Sequence, residues 1–133
     1  MADRPVYVTD THSLLWYLHN PKRLGPAAAT AFGQVAANEA DLIVPVIVIA
    51  EIIYVLQAGK VTVDFESVLT RLQASPNVAI APLTLEHALA LRTLTAVPEM
   101  HDRMVVAEAH LRNAALITRD QTITASSLVP VVW

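Results

Sequence analysis

Residues 42–58 read LIVPVIVIAEIIYVLQA, apolar apart from Pro45, Glu51 and Gln57. The first half is β-branched and the second is richer in helix formers. This predicts a buried strand over 41–45 feeding a helix from Val46 to Ala58, with Gly59 as its C-terminal cap. Four other short apolar runs read as strands: PVYVTD (5–10), NVAIAPL (77–83), ALIT (115–118) and VPVVW (129–133). Between them lie stretches of helical character. THSLLWYLHN (11–20) is stopped by Pro21, and Pro26 opens an Ala-rich helix running to about Ala40. Asp64 caps a helix in which Phe65, Val68, Leu69 and Leu72 share a face, and Thr84 caps one that ends before Pro98. HDRMVVAEAHLRNA (101–114) is a further helix.

The strands are apolar throughout rather than alternating, and they take turns with helices. That combination implies an α/β fold: a single domain over 1–133, with a central, mostly parallel β-sheet and helices on both faces. Right-handed crossovers then align the strand carboxyl ends along one edge of the sheet, where ligands of such folds gather.

Composition narrows this further. A chain of 133 residues, 54% hydrophobic and 16% charged, suits one domain with one core and excludes a disordered segment. The absence of cysteine removes disulfides and thiolate metal sites and is compatible with a reducing cytoplasm. The N-terminal MADRPVYVTD has no apolar stretch of signal-peptide length. Mean hydropathy is +0.46, which raises the question of a membrane span. The only candidate, 42–58, carries Pro45 inside and Glu51 near its middle, so no membrane association is expected. A net charge of −3 means that a nucleic-acid ligand would have to be attracted by something other than an overall basic surface.

Four acids stand out. Asp10 ends the first strand and Asp120 follows ALIT by two residues, so both are expected at the carboxyl edge of the sheet; capping or turn formation is the competing role for each. Asp102 heads the apolar face formed with Val105, Val106 and Ala109. Arg103, Glu108, His110 and Arg112 mark the outer faces of that helix, Glu108 and Arg112 at ion-pair spacing. Glu51 is the lone charge of its apolar run, so it is expected either to join the other acids or to pair with a buried Lys or Arg. Two carboxylates about 4 Å apart repel by roughly 4 kcal/mol at an effective dielectric near 20. A convergent cluster therefore requires protonation or a cation. Hard oxygen donors without cysteine point to Mg²⁺ or Mn²⁺, one or two ions, and such a site attracts phosphate. The matching chemistry is phosphodiester hydrolysis. Thr118, at the same strand end, is placed to hold a water or a metal-bound oxygen, a strand Thr with a satisfied hydroxyl being the alternative.

These residues resemble those of the PIN domain family, and within it the VapC-like toxins of toxin–antitoxin pairs. YVTDTHSLLWYL with Asp10, AEIIYVLQAG with Glu51, HDRMVVAEA with Asp102, and LITRDQTI with Thr118 and Asp120 resemble its four motifs in order, over nearly the whole chain. The resemblance implies a Mg²⁺- or Mn²⁺-dependent endoribonuclease acting on tRNA or ribosomal RNA, usually a homodimer, held inactive by a small VapB-like antitoxin. Asp10, Glu51, Asp102 and Asp120 would be its metal ligands. One feature departs from the pattern: many relatives carry Ser or Thr shortly before the second acid, whereas PVIVIAE is apolar, leaving Glu51 without an evident hydroxyl partner. His12 and His101 adjoin the first and third motifs. Arg103 and Arg119 adjoin acids and are candidates for phosphate contact. Leu14, Leu15, Trp16, Tyr17 and Leu18 supply more apolar surface than one short helix needs for its core contacts. Two alternatives remain: a catalytically inactive PIN-like protein- or RNA-binding module, and a phosphatase with Asp10 as nucleophile, whose expected second acid is replaced by His12.

Overall fold

The computed structural model describes residues 4–133; the first three residues of the expected 1–133 domain lie outside the described residues. It is an α/β fold around a five-stranded sheet of order β3-β2-β1-β4-β5, built from β1 (Val6–Thr9), β2 (Asp41–Pro45), β3 (Val78–Ala81), β4 (Ala115–Ile117) and β5 (Val131–Val132). Every pairing is parallel, where a mostly parallel sheet was expected. Consecutive residues of a strand point to opposite faces, yet Val8 and Thr9, Leu42 to Pro45, and Leu116 to Thr118 are all buried. Both faces are therefore covered, which is why these strands do not alternate in polarity.

The helices are α1 (Thr11–His19), α2 (Pro26–Ala36), α3 (Val46–Gln57), α4 (Phe65–Ala74), α5 (Leu85–Ala90), α6 (Met100–Arg112) and α7 (Gln121–Ser126). The chain steps outward from β1 to β2 to β3, then returns across β1 to β4 and β5. The reversal leaves a crevice beyond the carboxyl ends of β1 and β4, the usual position for a ligand in an open parallel sheet. Val8, paired with Ile43 on one side and Leu116 on the other, sits at the centre of the core.

Several boundaries differ from the sequence pattern. The second helix stops at Ala36 rather than near Ala40, because Asn38 adopts a left-handed conformation, φ 58°, and turns the chain into β2. The helix capped by Thr84 covers only 85–90. Beyond it the carbonyls of Leu91 and Val97 accept from the Arg103 guanidinium, an arrangement that replaces helix continuation. Helix α7 follows Asp120, where sequence reading saw no element. Gly59 ends α3 at φ +72°, as its glycine cap implied. Among the described residues no helix is long and apolar enough to cross a membrane.

Candidate active site at the switch point

Asp10 leaves β1 and caps α1: its Oδ1 accepts from the Ser13 backbone N–H at 3.0 Å. Asp120 caps α7 in the same way, with Oδ1 accepting from the Ile123 N–H at 2.9 Å. Capping and site formation are thus compatible, since each cap uses one carboxylate oxygen. Thr118 joins the two acids. Its buried hydroxyl donates to Asp10 Oδ2 at 2.5 Å and accepts from the Asp120 backbone N–H at 3.0 Å. The alternative weighed for Thr118, a strand Thr with a satisfied hydroxyl, also describes these contacts. Through these two contacts Thr118 ties the Asp10 carboxylate to the backbone of Asp120.

Asp102 belongs to the first turn of α6, but the cap of that helix is Glu99, whose Oε2 accepts from the Asp102 N–H at 2.7 Å. Val105, Val106 and Ala109 are buried below it, so the helix directs Asp102 toward the crevice at the head of its apolar face. Asp10, Asp102 and Asp120 together line one open cleft of about 310 Å³, with His12, Ser13, Trp16 and Arg119. Desolvation raises the Asp102 pKa from 3.8 to about 6, reinforced by the charges of Glu99, Asp120, Glu51 and Asp10. The fold therefore leaves a like-charge field uncompensated at this point.

Glu51 occupies the middle of α3 and lines an adjoining hollow of about 410 Å³ with Ile47, Ala50, Tyr54, Val55 and His101. The aspartates and Glu51 thus lie on neighbouring surfaces, coupled through the field on Asp102. The Glu51 partner is Thr11, whose buried Oγ1 donates to Oε1 at 2.7 Å; among the described residues no Lys or Arg pairs with it. The hydroxyl missing from PVIVIAE is thus supplied from the start of α1. Nothing local signals this contact, because its two residues are 40 positions apart. His101 is held to Glu99 at 2.7 Å, and that hydrogen bond is the main cause of its raised pKa. For Glu99, partial burial opposes ionisation. The Asp102 N–H and His101 outweigh it and hold Glu99 below the ordinary range.

Two other expectations change. Arg103 is not available to a phosphate, since it donates to the carbonyls of Val97 at 2.6 Å and Leu91 at 3.2 Å. Glu108 is not on an outer face. It is 2% exposed and receives Arg112 Nε at 3.0 Å, with His87 Nε2 3.1 Å away on its other side. The i,i+4 pair with Arg112 forms, but its carboxylate end is buried.

The donor set suits a hard divalent cation: aspartate oxygens on one cleft, with the Ser13 hydroxyl on the same wall, buried and without a hydrogen-bond partner among the described residues. Among the described residues no three His, Asp or Glu side chains are drawn together into a finished cage. The residues present fit the ion in kind.

The family model described as PIN domain matches residues 7–125. No curated protein matches the chain in sequence. Among solved structures, the chain is similar to one in VapBC2 from Rickettsia felis bound to a DNA fragment from its promoter, with TM-score 0.68, 14% identity, and coverage of 95% of this chain and 96% of that one. It is similar to one in FitAcB from Neisseria gonorrhoeae, TM-score 0.65, 17% identity, covering 94% and 95%. A toxin–antitoxin complex from Klebsiella pneumoniae gives TM-score 0.63, 18% identity, covering 92% and 94%. At these identities the likeness is one of fold.

Proposed function

The chain belongs to the PIN domain family, and from that premise we propose that it is a metal-dependent endoribonuclease, the toxin of a toxin–antitoxin pair. One observation carries the reading: Asp10, Asp102 and Asp120 reach a single cleft from three separate segments, at the sheet's topological switch point. Asp10, Asp102 and Asp120 would hold Mg²⁺ or Mn²⁺, with Glu51 adjoining. A bound dication supplies charge neutralisation at the phosphate and a water of lowered pKa. The chain's own work is positioning. Ser13 N–H, Ile123 N–H and the Thr118 hydroxyl fix the Asp10 and Asp120 carboxylates, Thr11 fixes Glu51, and α6 brings Asp102 to the cleft. The raised Asp102 pKa supports the reading, because a dication would relieve the field that causes it.

The proposed substrate is RNA, tRNA or ribosomal RNA by the resemblance of the motifs, and the proposed site of action is the cytoplasm. A VapB-like antitoxin and a second copy of the chain are the proposed partners. Exposed apolar residues on α3 and α5, notably Tyr54, Leu85 and Leu89, offer surface for such contacts. The alternative is a PIN-like protein- or RNA-binding module without catalysis.

Incubation of the purified chain with structured RNA separates the two. The nuclease reading expects cleavage that stops with EDTA, returns with Mg²⁺ or Mn²⁺, and is lost in Asp10→Asn. Binding of RNA with no metal-restored cleavage would establish the module instead.

A further inference from the structure

Beside the three aspartates, the cleft wall is formed by Trp16, a half-buried indole with two guanidinium groups over it. The Arg23 guanidinium carbon lies 4.9 Å from the ring centroid and that of Arg119 lies 5.9 Å away. His12 sits at 5.9 Å, its ring tilted by 50°. The indole is braced from behind by Trp133, in edge contact at 5.7 Å. Trp133 is itself tied down, since its carbonyl oxygen accepts from the Ala27 and Ala28 N–H groups at the start of α2.

The disposition of the cations gives this grouping its meaning. Of the chain's nine Lys and Arg residues, Arg4 pairs with Asp41, Arg112 with Glu108, and Arg92 and Arg103 with backbone carbonyls. Among the described residues, the guanidinium groups of Arg23, Arg71 and Arg119 make no hydrogen bond or ion pair. Arg71 lies over Tyr17 in a different groove, whereas Arg23 and Arg119 both lie over Trp16. A guanidinium held against a ring keeps its N–H edge free for phosphate. At 5.9 Å, Arg119 is at the outer limit of such a contact, and Trp16 itself lines the open cleft. Lys22 and Lys60 likewise make no hydrogen bond or ion pair among the described residues, but of these five uncommitted cations only Arg23 and Arg119 lie over the indole that walls the acidic cleft.

We propose that Trp16, bracketed by Arg23 and Arg119, is the stacking platform for an unpaired nucleobase of the substrate, adjacent to the phosphodiester presented to the aspartates. The proposal deepens the ribonuclease reading and rests on it. An indole accepts any base face, the arginines take the flanking phosphates, and a paired base is already stacked within its own helix, so the ligand is single-stranded. An acidic peptide would also suit the arginines, but it gains nothing from the aspartates on the same wall.

The test is fluorescence anisotropy in the cleavage-deficient Asp10→Asn background with Mg²⁺ present. It compares a short labelled single-stranded RNA with an abasic RNA of equal length. The parent is expected to prefer the RNA with bases about tenfold, Trp16→Ala to abolish that preference, and Trp16→Phe to retain most of it. Arg119→Glu, an exposed and hydrogen-bond-free position, should weaken both ligands and lower the salt slope by about one. If Trp16→Ala does not fold, the parent's base preference together with Arg119→Glu decides the matter. Equal parent affinity for the two RNAs, or a base preference and salt slope indifferent to these substitutions, overturns the platform and leaves the cluster to a protein partner. The two readings fail separately. Cleavage by wild type with Trp16-independent binding defeats the platform alone, and base-dependent binding without cleavage by wild type defeats the nuclease alone.

Discussion

Helix α6 carries two acids six residues apart in opposite circumstances. Glu108 is buried and supplied with a cationic partner, Arg112 along the helix, while the His87 imidazole from α5 lies against its other side. Asp102 is half-buried, forms no ion pair among the described residues, and faces Glu99, Asp120, Glu51 and Asp10. Taking a carboxylate out of water is costly, and a fold normally answers it with a counter-charge. At Glu108 the protein does so with its own residues. At Asp102 it supplies more negative charge instead, an arrangement that makes sense if the compensating cation comes from outside. On the proposed reading, the contrast separates a carboxylate that stabilises the fold from one that the fold holds for a metal ion.

The sharpest way to break this contrast is to remove a carboxylate from the cleft. Asp10→Asn or Asp120→Asn should lower RNA cleavage about a thousandfold, the scale of a metal ligand's contribution, while the far-ultraviolet circular dichroism is preserved. Full activity in both variants would remove the cleft from the chemistry. Next in size, Glu108→Ala should reverse the pattern. It strands Arg112 and His87 and lowers stability in urea by about 2 kcal/mol, with the metal dependence of cleavage unchanged. A Glu108 variant that lost metal response at full stability would erase the distinction.

Thr11→Val tests whether Glu51 belongs with Asp102. Loss of its one hydroxyl partner should weaken metal affinity about tenfold with little change in melting temperature, as removal of an outer-shell hydrogen bond does. A large stability loss with unaltered metal affinity would assign Glu51 to the fold.

The smallest effect is in pH dependence. Folded Asp102 titrates near 6 against an ordinary 3.8. Between those values the folded state keeps a proton that the unfolded chain has released. The stability of the metal-free protein should therefore fall as pH rises through that window and level off above it. Asp102→Asn should flatten this part of the denaturation profile, and added Mg²⁺ should do the same for wild type. A profile unchanged by either would show that the field at Asp102 is already compensated.

What could be read along the chain follows from local chemistry. Apolar runs marked the strands, and the acids one residue after VYVT and two after ALIT fell at the carboxyl edge because a strand's end is fixed by its own residues. Helix spacing set Asp102 above Val105, Val106 and Ala109. The weakest reading was the helix capped by Thr84 and expected to end before Pro98; it stops at Ala90, and the Leu91 carbonyl accepts instead from Arg103, twelve residues downstream. Glu108 was misplaced for a related reason: α5 folds over that side of α6 and buries a position that the pattern assigns to solvent.

The identity and approximate address of the acids were thus written in short segments, where apolar periodicity and capping act over a few residues. Their partners were not. Thr118 reaches Asp10 across 108 positions and Thr11 reaches Glu51 across 40, and Arg119 meets Trp16 from the far side of the sheet's switch point. Those contacts depend on the strand order, which places β4 beside β1. That order is settled by packing the whole core at once, a cooperative outcome that no short stretch of sequence encodes.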